Sequence, residues 1–281
     1  MKTVPLLPNL ITAFGLSCGL FVIFKLVMAM PGAATYSDQA AVVAILLLAA
    51  FADVLDGAVA RALKAQSYFG GIFDSLADAI SFGVAPMVIV LKSLSIPAGT
   101  ELSYLITTAA MVFSVCGVLR LVRFSVASYE ESILSTDLDG GKKNFTGLPI
   151  PAGASAAVSA NLFLVSPDFE SLVILSSEAR AFIMFVILIV LGYLMISRWK
   201  FPAFKALHVQ VSSFQIVFIT AMSAVFIFYG VLYHFAVVLC ILSWAYVLVS
   251  FGLSVLRYAT GPKIKTLESF EPDPDEFEDY E

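Results

Sequence analysis

The sequence predicts an all-α fold, a polytopic membrane helical bundle of about eight transmembrane helices. Of the 281 residues, 60% are hydrophobic and only 13% are charged, and the mean hydropathy is +0.94. Soluble globular domains are much less apolar than this. The apolar residues also form repeated runs near the roughly 20 residues that a helix needs to cross a bilayer. We therefore expect an integral membrane protein.

Eight apolar stretches account for the predicted spans. The first opens at Pro8-Asn9, as a helix does, and it is longer than the apolar core of an ordinary signal peptide, which is the alternative interpretation of residues 1–30. The fifth is short and rich in small residues. In chain order the spans are 9–30, 39–61, 70–92, 103–126, 149–165, 179–197, 211–232 and 236–256.

The basic residues predict the orientation of these spans. With both termini in the cytoplasm, 13 of the 16 Lys and Arg residues lie in cytoplasmic loops or at cytoplasmic helix ends. Only Lys25, Lys92 and Arg180 lie on the other side. Cytoplasmic loops of membrane proteins carry an excess of Lys and Arg. We therefore expect both termini and the short connection 62–69 to face the cytoplasm.

Two of the spans carry acidic and small residues at helical spacing. These stripes consist of Asp53, Asp56, Gly57 and Ala60 in the second span and Gly70, Asp74 and Asp78 in the third. Because the connection 62–69 is short, the two helices are expected to be antiparallel neighbours. Their stripes would then face each other across a narrow cleft that holds four carboxylates.

Four carboxylates in one cleft need compensating positive charge. A charge near the bilayer centre costs at least about 2.5–3.5 kcal/mol, and like charges repel each other further. Two divalent cations would balance the four negative charges, and oxygen-only ligands favour magnesium, manganese or calcium over zinc. The small residues leave room for a bulky ligand, and Arg61 offers a guanidinium group to phosphate oxygens. The residues thus indicate a two-metal clamp for a phosphate group.

The pattern DxxDGxxAR, eight residues, then GxxxDxxxD runs over residues 53–78. It is similar to the signature of the CDP-alcohol phosphatidyltransferases, and every fixed position matches. The resemblance implies a membrane enzyme that moves a substituted phosphate from a CDP-linked donor to an alcohol. It also implies a six-helix family core, a homodimer, and a bacterial or archaeal cell membrane as the location.

Further segments resemble the branch of the family whose acceptor is L-serine. The matching segments are 8–12, 74–86, 120–124, 144–151, 194–197 and 201–205. This resemblance implies transfer of the phosphatidyl group from CDP-diacylglycerol to L-serine, giving phosphatidylserine and CMP. Two departures concern the acceptor more than the chemistry: Ser125 stands where many relatives have Asn, and residues 199–201 stand where an Arg-Tyr pair is usual.

The same resemblance divides the chain into three parts. Residues 1–205 form the predicted catalytic core, and residues 206–260 form two additional transmembrane helices. Residues 261–281 form an acidic cytoplasmic tail, which we expect to be disordered because its end, 268–281, carries eight acidic residues and no basic one.

Site roles follow from the residues and the resemblance together. Metal binding is assigned to Asp53, Asp56, Asp74 and Asp78, with Asp78 also the base that accepts the serine proton. Binding of CDP-diacylglycerol is assigned to Asn9, Thr12, Asp56, Gly57, Ala60, Arg61 and Gly70. Binding of serine is assigned to Arg120, Arg123, Lys142, Lys143 and Gly147. The alternatives are that the basic residues of the serine group only anchor the helix ends at the membrane surface, and that Asn9 and Thr12 only cap a helix.

Two other functions are compatible with parts of the pattern. The acceptor could be another alcohol, namely glycerol phosphate, inositol phosphate or choline. Outside the enzymes, aspartates within a membrane also mark ion or proton transporters. A transporter is expected to show paired repeats and interrupted spans, rather than acidic stripes with small residues and an Arg.

Overall fold

Helices make up almost all of the described chain. A computed structural model describes residues 6–29, 35–63, 65, 67–94, 96–97, 99–134, 145–197, 199–201 and 229–260. Its elements are α1 (Leu6–Met28), α2 (Tyr36–Ala62), α3 (Tyr68–Asp78), a π-helical segment (Ala79–Val84), α4 (Ala85–Ser93), α5 (Glu101–Leu134), β1 (Phe145–Thr146), α6 (Ile150–Leu164), α7 (Pro167–Glu170), α8 (Ser177–Ile196), β2 (Lys200–Phe201) and α9 (Phe235–Thr260). The expected all-α fold is confirmed for this part of the chain, in which a two-residue antiparallel pairing is the only sheet.

Six helical stretches are long and apolar enough to cross a membrane. They are Leu6–Met28, Tyr36–Ala62, Tyr68–Ser93, Glu101–Val126, Ser177–Ile196 and Phe235–Leu256. These stretches match six of the predicted spans, so a multi-pass membrane protein is confirmed, whereas the total of eight is not. The predicted seventh span, 211–232, lies mostly outside the described residues, and the predicted tail, 261–281, lies wholly outside them.

The predicted fifth span is observed as α6, a short helix inside the bundle. Its 15 residues extend about 22 Å at 1.5 Å per residue, against a hydrocarbon core of about 30 Å. Ala156, Ala157 and Leu162 are completely buried. Helix α6 therefore packs against its neighbours along most of its surface and is too short to cross the bilayer by itself.

The third predicted span is continuous but changes its helical pitch immediately after Asp78. Over Ala79–Val84 the chain forms a π-helix, in which the N–H of Ala85 bonds to the carbonyl of Ile80. Ser114 on α5 donates a hydrogen bond of 2.8 Å to the carbonyl oxygen of Gly83. The wider turn shifts α4 relative to α3. Ser114 of α5 provides a partner for one carbonyl group of the π-helical segment.

Of two glycines on α1, Gly19 and Gly15, only Gly19 makes an approach that a side chain would prevent. A Cβ atom at Gly19 would lie 2.5 Å from Oγ and 2.9 Å from Cα of Ser81 in the π-helical segment. A Cβ atom at Gly15 would meet only ordinary contacts, 3.4 Å from Cβ of Ala52 and 3.5 Å from the carbonyl oxygen of Ala49 on α2. The approach at Gly19 is thus closer than any side chain allows, and it fixes α1 beside the segment that follows Asp78.

The two short strands pair with each other beside the end of α8. Phe145 pairs with Phe201 and Thr146 with Lys200. Gly147 then turns the chain with a φ of +79°, and a Cβ there would collide with the carbonyl oxygen of Met195. This turn directs the chain into α6 beside the end of α8.

We predict that Gly19→Ala destabilises the protein by about 1–3 kcal/mol, because the added methyl group forces α1 away from the π-helical segment. The change should lower the thermal unfolding midpoint of the detergent-solubilised protein. Gly15→Ala is the matched control on the same helix, and its midpoint should stay close to that of the wild type. Equal effects of the two substitutions would contradict the close approach at Gly19.

Candidate active site between the first three helices

Helices α2 and α3 bring three of the predicted carboxylates together. Asp53, Asp56 and Asp74 each offer one oxygen, and these oxygens lie within 4.8 Å of one another. Asp53 and Asp56 share a face of α2 because they are three residues apart, and α3 returns antiparallel to present Asp74. Asp56 is 5% exposed.

The fourth carboxylate lies one turn further along α3. Asp78 lines a small cavity together with the other three aspartates. The structure therefore gathers all four predicted aspartates, with the Asp53–Asp78 pair farther from the connection between the two helices than Asp56 and Asp74.

A cleft of about 190 Å³ opens beside these carboxylates. All seven residues predicted to bind the donor line it: Asn9, Thr12, Asp56, Gly57, Ala60, Arg61 and Gly70. Sequence reasoning missed Ser67, which lines the same cleft and caps α3 by accepting a hydrogen bond of 3.0 Å from the N–H of Gly70. A serine just before a helix is a recognisable N-cap signal and could have identified it.

Two glycines, Gly57 and Gly70, keep this cleft open because they have no side chain. A Cβ atom at Gly57 would lie 3.3 Å from Nη1 of Arg61, because the guanidinium group folds back along α2 over this glycine. A Cβ atom at Gly70 would lie 3.2 Å from Oδ1 of Asn9 and 3.0 Å from Oγ of Ser67. The cleft thus presents a guanidinium group, an amide and backbone to a ligand, which suits phosphate oxygens.

Thr12 connects α1 to the carboxylates. Its hydroxyl donates a hydrogen bond to Oδ2 of Asp56 and also lies 3.1 Å from the carbonyl oxygen of Pro8. This side chain is buried. Thr12 therefore orients one carboxylate, in addition to lining the cleft as predicted.

The carboxylates fit hard divalent cations. Every candidate metal-ligand atom in the described cluster is a carboxylate oxygen, the ligand type that magnesium, manganese and calcium prefer. Ser81 adds a buried hydroxyl group that has no hydrogen-bond partner among the described residues and that lines the same small cavity. Buried polar groups normally have partners, so this cavity suits an ion or a water molecule.

Three of the residues predicted to bind serine, Arg120, Arg123 and Gly147, are described, and they differ in burial and in the groups that they contact. Arg120 is 9% exposed and has the Asp78 carboxylate as an electrostatic neighbour. Arg123 is exposed, and its Nη1 donates a hydrogen bond of 3.1 Å to the carbonyl oxygen of Ile196 at the end of α8. The N–H of Gly147 bonds to the carbonyl oxygen of Trp199 at 2.9 Å, so it already has a partner within the protein. The predicted residues Lys142 and Lys143 lie outside the described residues.

Comparison with known proteins assigns the family. The sequence model described as CDP-alcohol phosphatidyltransferase matches residues 5–184, which include every residue of the cleft. The chain belongs to this family. Among the relatives of this CDP-alcohol phosphatidyltransferase, the archaetidylserine synthase of Methanothermobacter thermautotrophicus is 38% identical over 160 residues, 56% of this chain and 56% of that protein.

Two bacterial relatives cover more of this CDP-alcohol phosphatidyltransferase. The CDP-diacylglycerol–serine O-phosphatidyltransferase of Helicobacter pylori is 32% identical over 235 residues, 80% of this chain and 86% of that protein. The protein of the same name from Bacillus subtilis is 32% identical over 199 residues, 71% of this chain and 91% of its own length. These alignments are long enough to support the family assignment.

We predict that Thr12→Val weakens binding of Mn²⁺ by about tenfold, because Asp56 loses the hydroxyl that orients it while the shape of the side chain is kept. Isothermal titration of the detergent-solubilised protein with Mn²⁺ measures this affinity. Thr108→Val is the control, since the Thr108 hydroxyl bonds to the carbonyl oxygen of Tyr104 within its own helix, α5. Unchanged Mn²⁺ affinity in Thr12→Val would contradict the orienting role.

Proposed function

We propose that this membrane protein transfers the phosphatidyl group of CDP-diacylglycerol to the hydroxyl of L-serine, giving phosphatidylserine and CMP. The observation that carries the proposal is the cleft beside four carboxylates, which lies within the region matched by the family. The names of the relatives support serine as the acceptor. The chain is thus an enzyme of phospholipid biosynthesis.

The donor occupies the 190 Å³ cleft in this proposal. Arg61 binds oxygens of the pyrophosphate, and Asn9 and the backbone around Gly57 and Gly70 hold the nucleotide end. The acyl chains remain in the bilayer, since the cleft is built from membrane-spanning helices. This arrangement binds the polar part of the donor without removing its lipid part from the membrane.

The aspartates supply the metal site. Asp53, Asp56, Asp74 and Asp78 would hold two divalent cations, magnesium or manganese and otherwise calcium. Such cations, when bound, neutralise the charge of the phosphate oxygens and of the carboxylates themselves.

The acceptor reacts on the Asp78 side of the cluster. Arg120 is buried beside Asp78 and binds the serine carboxylate, which places the serine hydroxyl near that aspartate. Asp78 accepts the hydroxyl proton while the serine oxygen forms a bond to the lipid-proximal phosphorus. The bond from that phosphorus to the CMP oxygen breaks, and CMP leaves. Because a serine hydroxyl is a much weaker acid than a carboxyl group, the proton transfers late in the reaction.

The remaining predictions describe the setting of the enzyme. The excess of basic residues on one side supports a location of both termini and the active site at the cytoplasmic face of the cell membrane, from which a nucleotide product would be released into water. We also propose that residues 1–205 form the catalytic core and that the enzyme is a homodimer.

We predict that changing any of Asp53, Asp56, Asp74 or Asp78 to Asn lowers CMP release with CDP-diacylglycerol and L-serine by about 10²-fold or more, because one negative charge is lost while the shape is kept. Asp168→Asn is the control. Asp168 is paired with His234 at 3.0 Å, away from the cluster, and this exposed pair contributes little to stability. Near wild-type turnover in two or more of the cluster variants would reject the metal site.

We predict that substitution of Arg61 weakens binding of the donor, CDP-diacylglycerol, whereas substitution of Arg120 weakens binding of the acceptor, L-serine. Arg120→Ala should raise the KM for L-serine by about tenfold or more, because a charged hydrogen bond to that substrate alone is lost, whereas Arg61→Ala should raise the KM for CDP-diacylglycerol. Steady-state kinetics with both substrates varied measures the two constants. Arg123→Ala is the comparison, since its guanidinium already binds the end of α8. A defect confined to the donor in Arg120→Ala would show that the serine site lies elsewhere.

A further inference from the structure

A buried hydroxyl group beside the carboxylates lacks a partner. Ser81 lies in the π-helical segment and is 2% exposed. Its Oγ has no hydrogen-bond partner among the described residues. Buried polar groups normally have partners, and a buried hydroxyl group without one is costly. The Ser81 hydroxyl is therefore available to a ligand.

The sequence places Ser81 on the face of the third span that carries the aspartates. Asp74, Asp78 and Ser81 follow one another at intervals of four and three residues, and residues at these spacings lie on one face of a helix. The π-helical segment begins directly after Asp78, and such wide turns occur frequently at functional sites. Ser81 thus continues the stripe of acidic side chains with a neutral oxygen.

A cavity of about 10 Å³ connects this hydroxyl group with the carboxylates. Ser81 and all four aspartates line it. A cavity of this volume has room for about one particle of the size of a water molecule. A single occupant therefore lies beside the carboxylates and beside Ser81. The other walls of this cavity include apolar side chains, namely Leu16, Ala49, Ala77 and Phe82.

Helix α1 shows which way the hydroxyl group points. A Cβ atom at Gly19 would lie 2.5 Å from Oγ of Ser81, so the hydroxyl group points towards α1 at a place where that helix has no side chain. Helix α1 also forms one wall of the small cavity, through Thr12, Gly15 and Leu16. The hydroxyl group therefore lies on the side of the π-helical segment where the cavity is.

Two hard cations need more oxygen ligands than the aspartates provide. Magnesium and manganese each take about six oxygen ligands, so two cations need about twelve, more than four carboxylates can offer. On the side of the 190 Å³ cleft, water and phosphate oxygens of the donor can complete the coordination. The small cavity has no such space. A hydroxyl group of the protein is the neutral oxygen that is available there.

We infer that the small cavity holds one of the divalent cations and that the hydroxyl oxygen of Ser81 is a ligand of that cation. The inference rests on the metal site of the proposed function. It adds a neutral ligand from the π-helical segment to the four aspartates. It also gives the close approach of α1 at Gly19 a part in metal binding, because this approach encloses the hydroxyl group.

Titration of Ser81→Ala with Mn²⁺ tests this inference. The change removes one ligand oxygen, so isothermal titration of the detergent-solubilised protein should show about tenfold weaker binding of one Mn²⁺ ion. Ser159→Ala is the matched control, because Ser159 is 0% exposed and its hydroxyl bonds to the carbonyl oxygen of Ala156 within α6. The control should bind Mn²⁺ as the wild type does. Unchanged Mn²⁺ affinity in Ser81→Ala would overturn the inference.

Titration of Ser81→Cys separates a metal ligand from a residue that only packs. A cysteine has nearly the shape of serine, but its sulfur is a softer ligand and favours Cd²⁺ over Mn²⁺. The ratio of Cd²⁺ affinity to Mn²⁺ affinity should therefore rise about tenfold or more over that of the wild type, whereas Ser159→Cys should leave it unchanged. An unchanged ratio in Ser81→Cys would overturn the inference even if Ser81→Ala binds Mn²⁺ weakly.

The wild-type protein distinguishes failure of this inference from failure of the proposed function. If the wild type binds no Mn²⁺, both the metal site and the role of Ser81 are rejected. Binding of Mn²⁺ without serine-dependent release of CMP would reject the proposed reaction alone.

Discussion

The constraint on which the rest of the structure depends is the repulsion among four carboxylates held within membrane-spanning helices. Charge in this environment costs several kilocalories per mole, so the carboxylates must be stabilised by groups on the helices around them. Thr12 approaches from α1, Arg61 folds back over Gly57, and the π-helical segment begins directly after Asp78. The close approach at Gly19 serves the same end, because it holds α1 against the helix that carries two of the four acids. Small residues are thus needed here for packing as well as for ligand space.

Much of the donor side could be predicted from sequence because it depends on local periodicity. Helical spacing alone put Asp53 and Asp56 on one face, and the short connection after α2 implied an antiparallel partner. The π-helical segment could not be predicted in this way, since one of its carbonyl groups is bonded by Ser114 on a different helix. The apolar composition of α6 was likewise misleading, because it does not distinguish a helix surrounded by lipid from one surrounded by protein.

The acceptor side was harder to predict because it depends on contacts between distant segments. Arg120 and Arg123 are three residues apart and looked equivalent in the sequence, yet one is buried beside Asp78 and the other is bound to the end of α8. Gly147 was predicted to help bind serine, yet its N–H is bonded to the carbonyl oxygen of Trp199, more than 50 residues away. The donor cleft, by contrast, is built from α1, α2 and α3, which follow one another in the chain. The donor and acceptor sides are thus built from different segments of the chain. Substitutions on the acceptor side would allow the preferred alcohol to change while the phosphatidyl-transfer chemistry stays the same.

The shortness of α6 has a consequence for how the protein is assembled in the membrane. A helix that covers about 22 Å of a 30 Å core, with Asn161 in its buried face, is poorly suited to remain alone in lipid. The Asn161 side chain accepts a hydrogen bond from Ser93 of α4, and the entry to α6 is held by a hydrogen bond from Leu148 to Leu194 of α8. Both partners lie on other helices, and one of them is synthesised after α6. The native contacts of α6 are therefore complete only once α8 has also been synthesised.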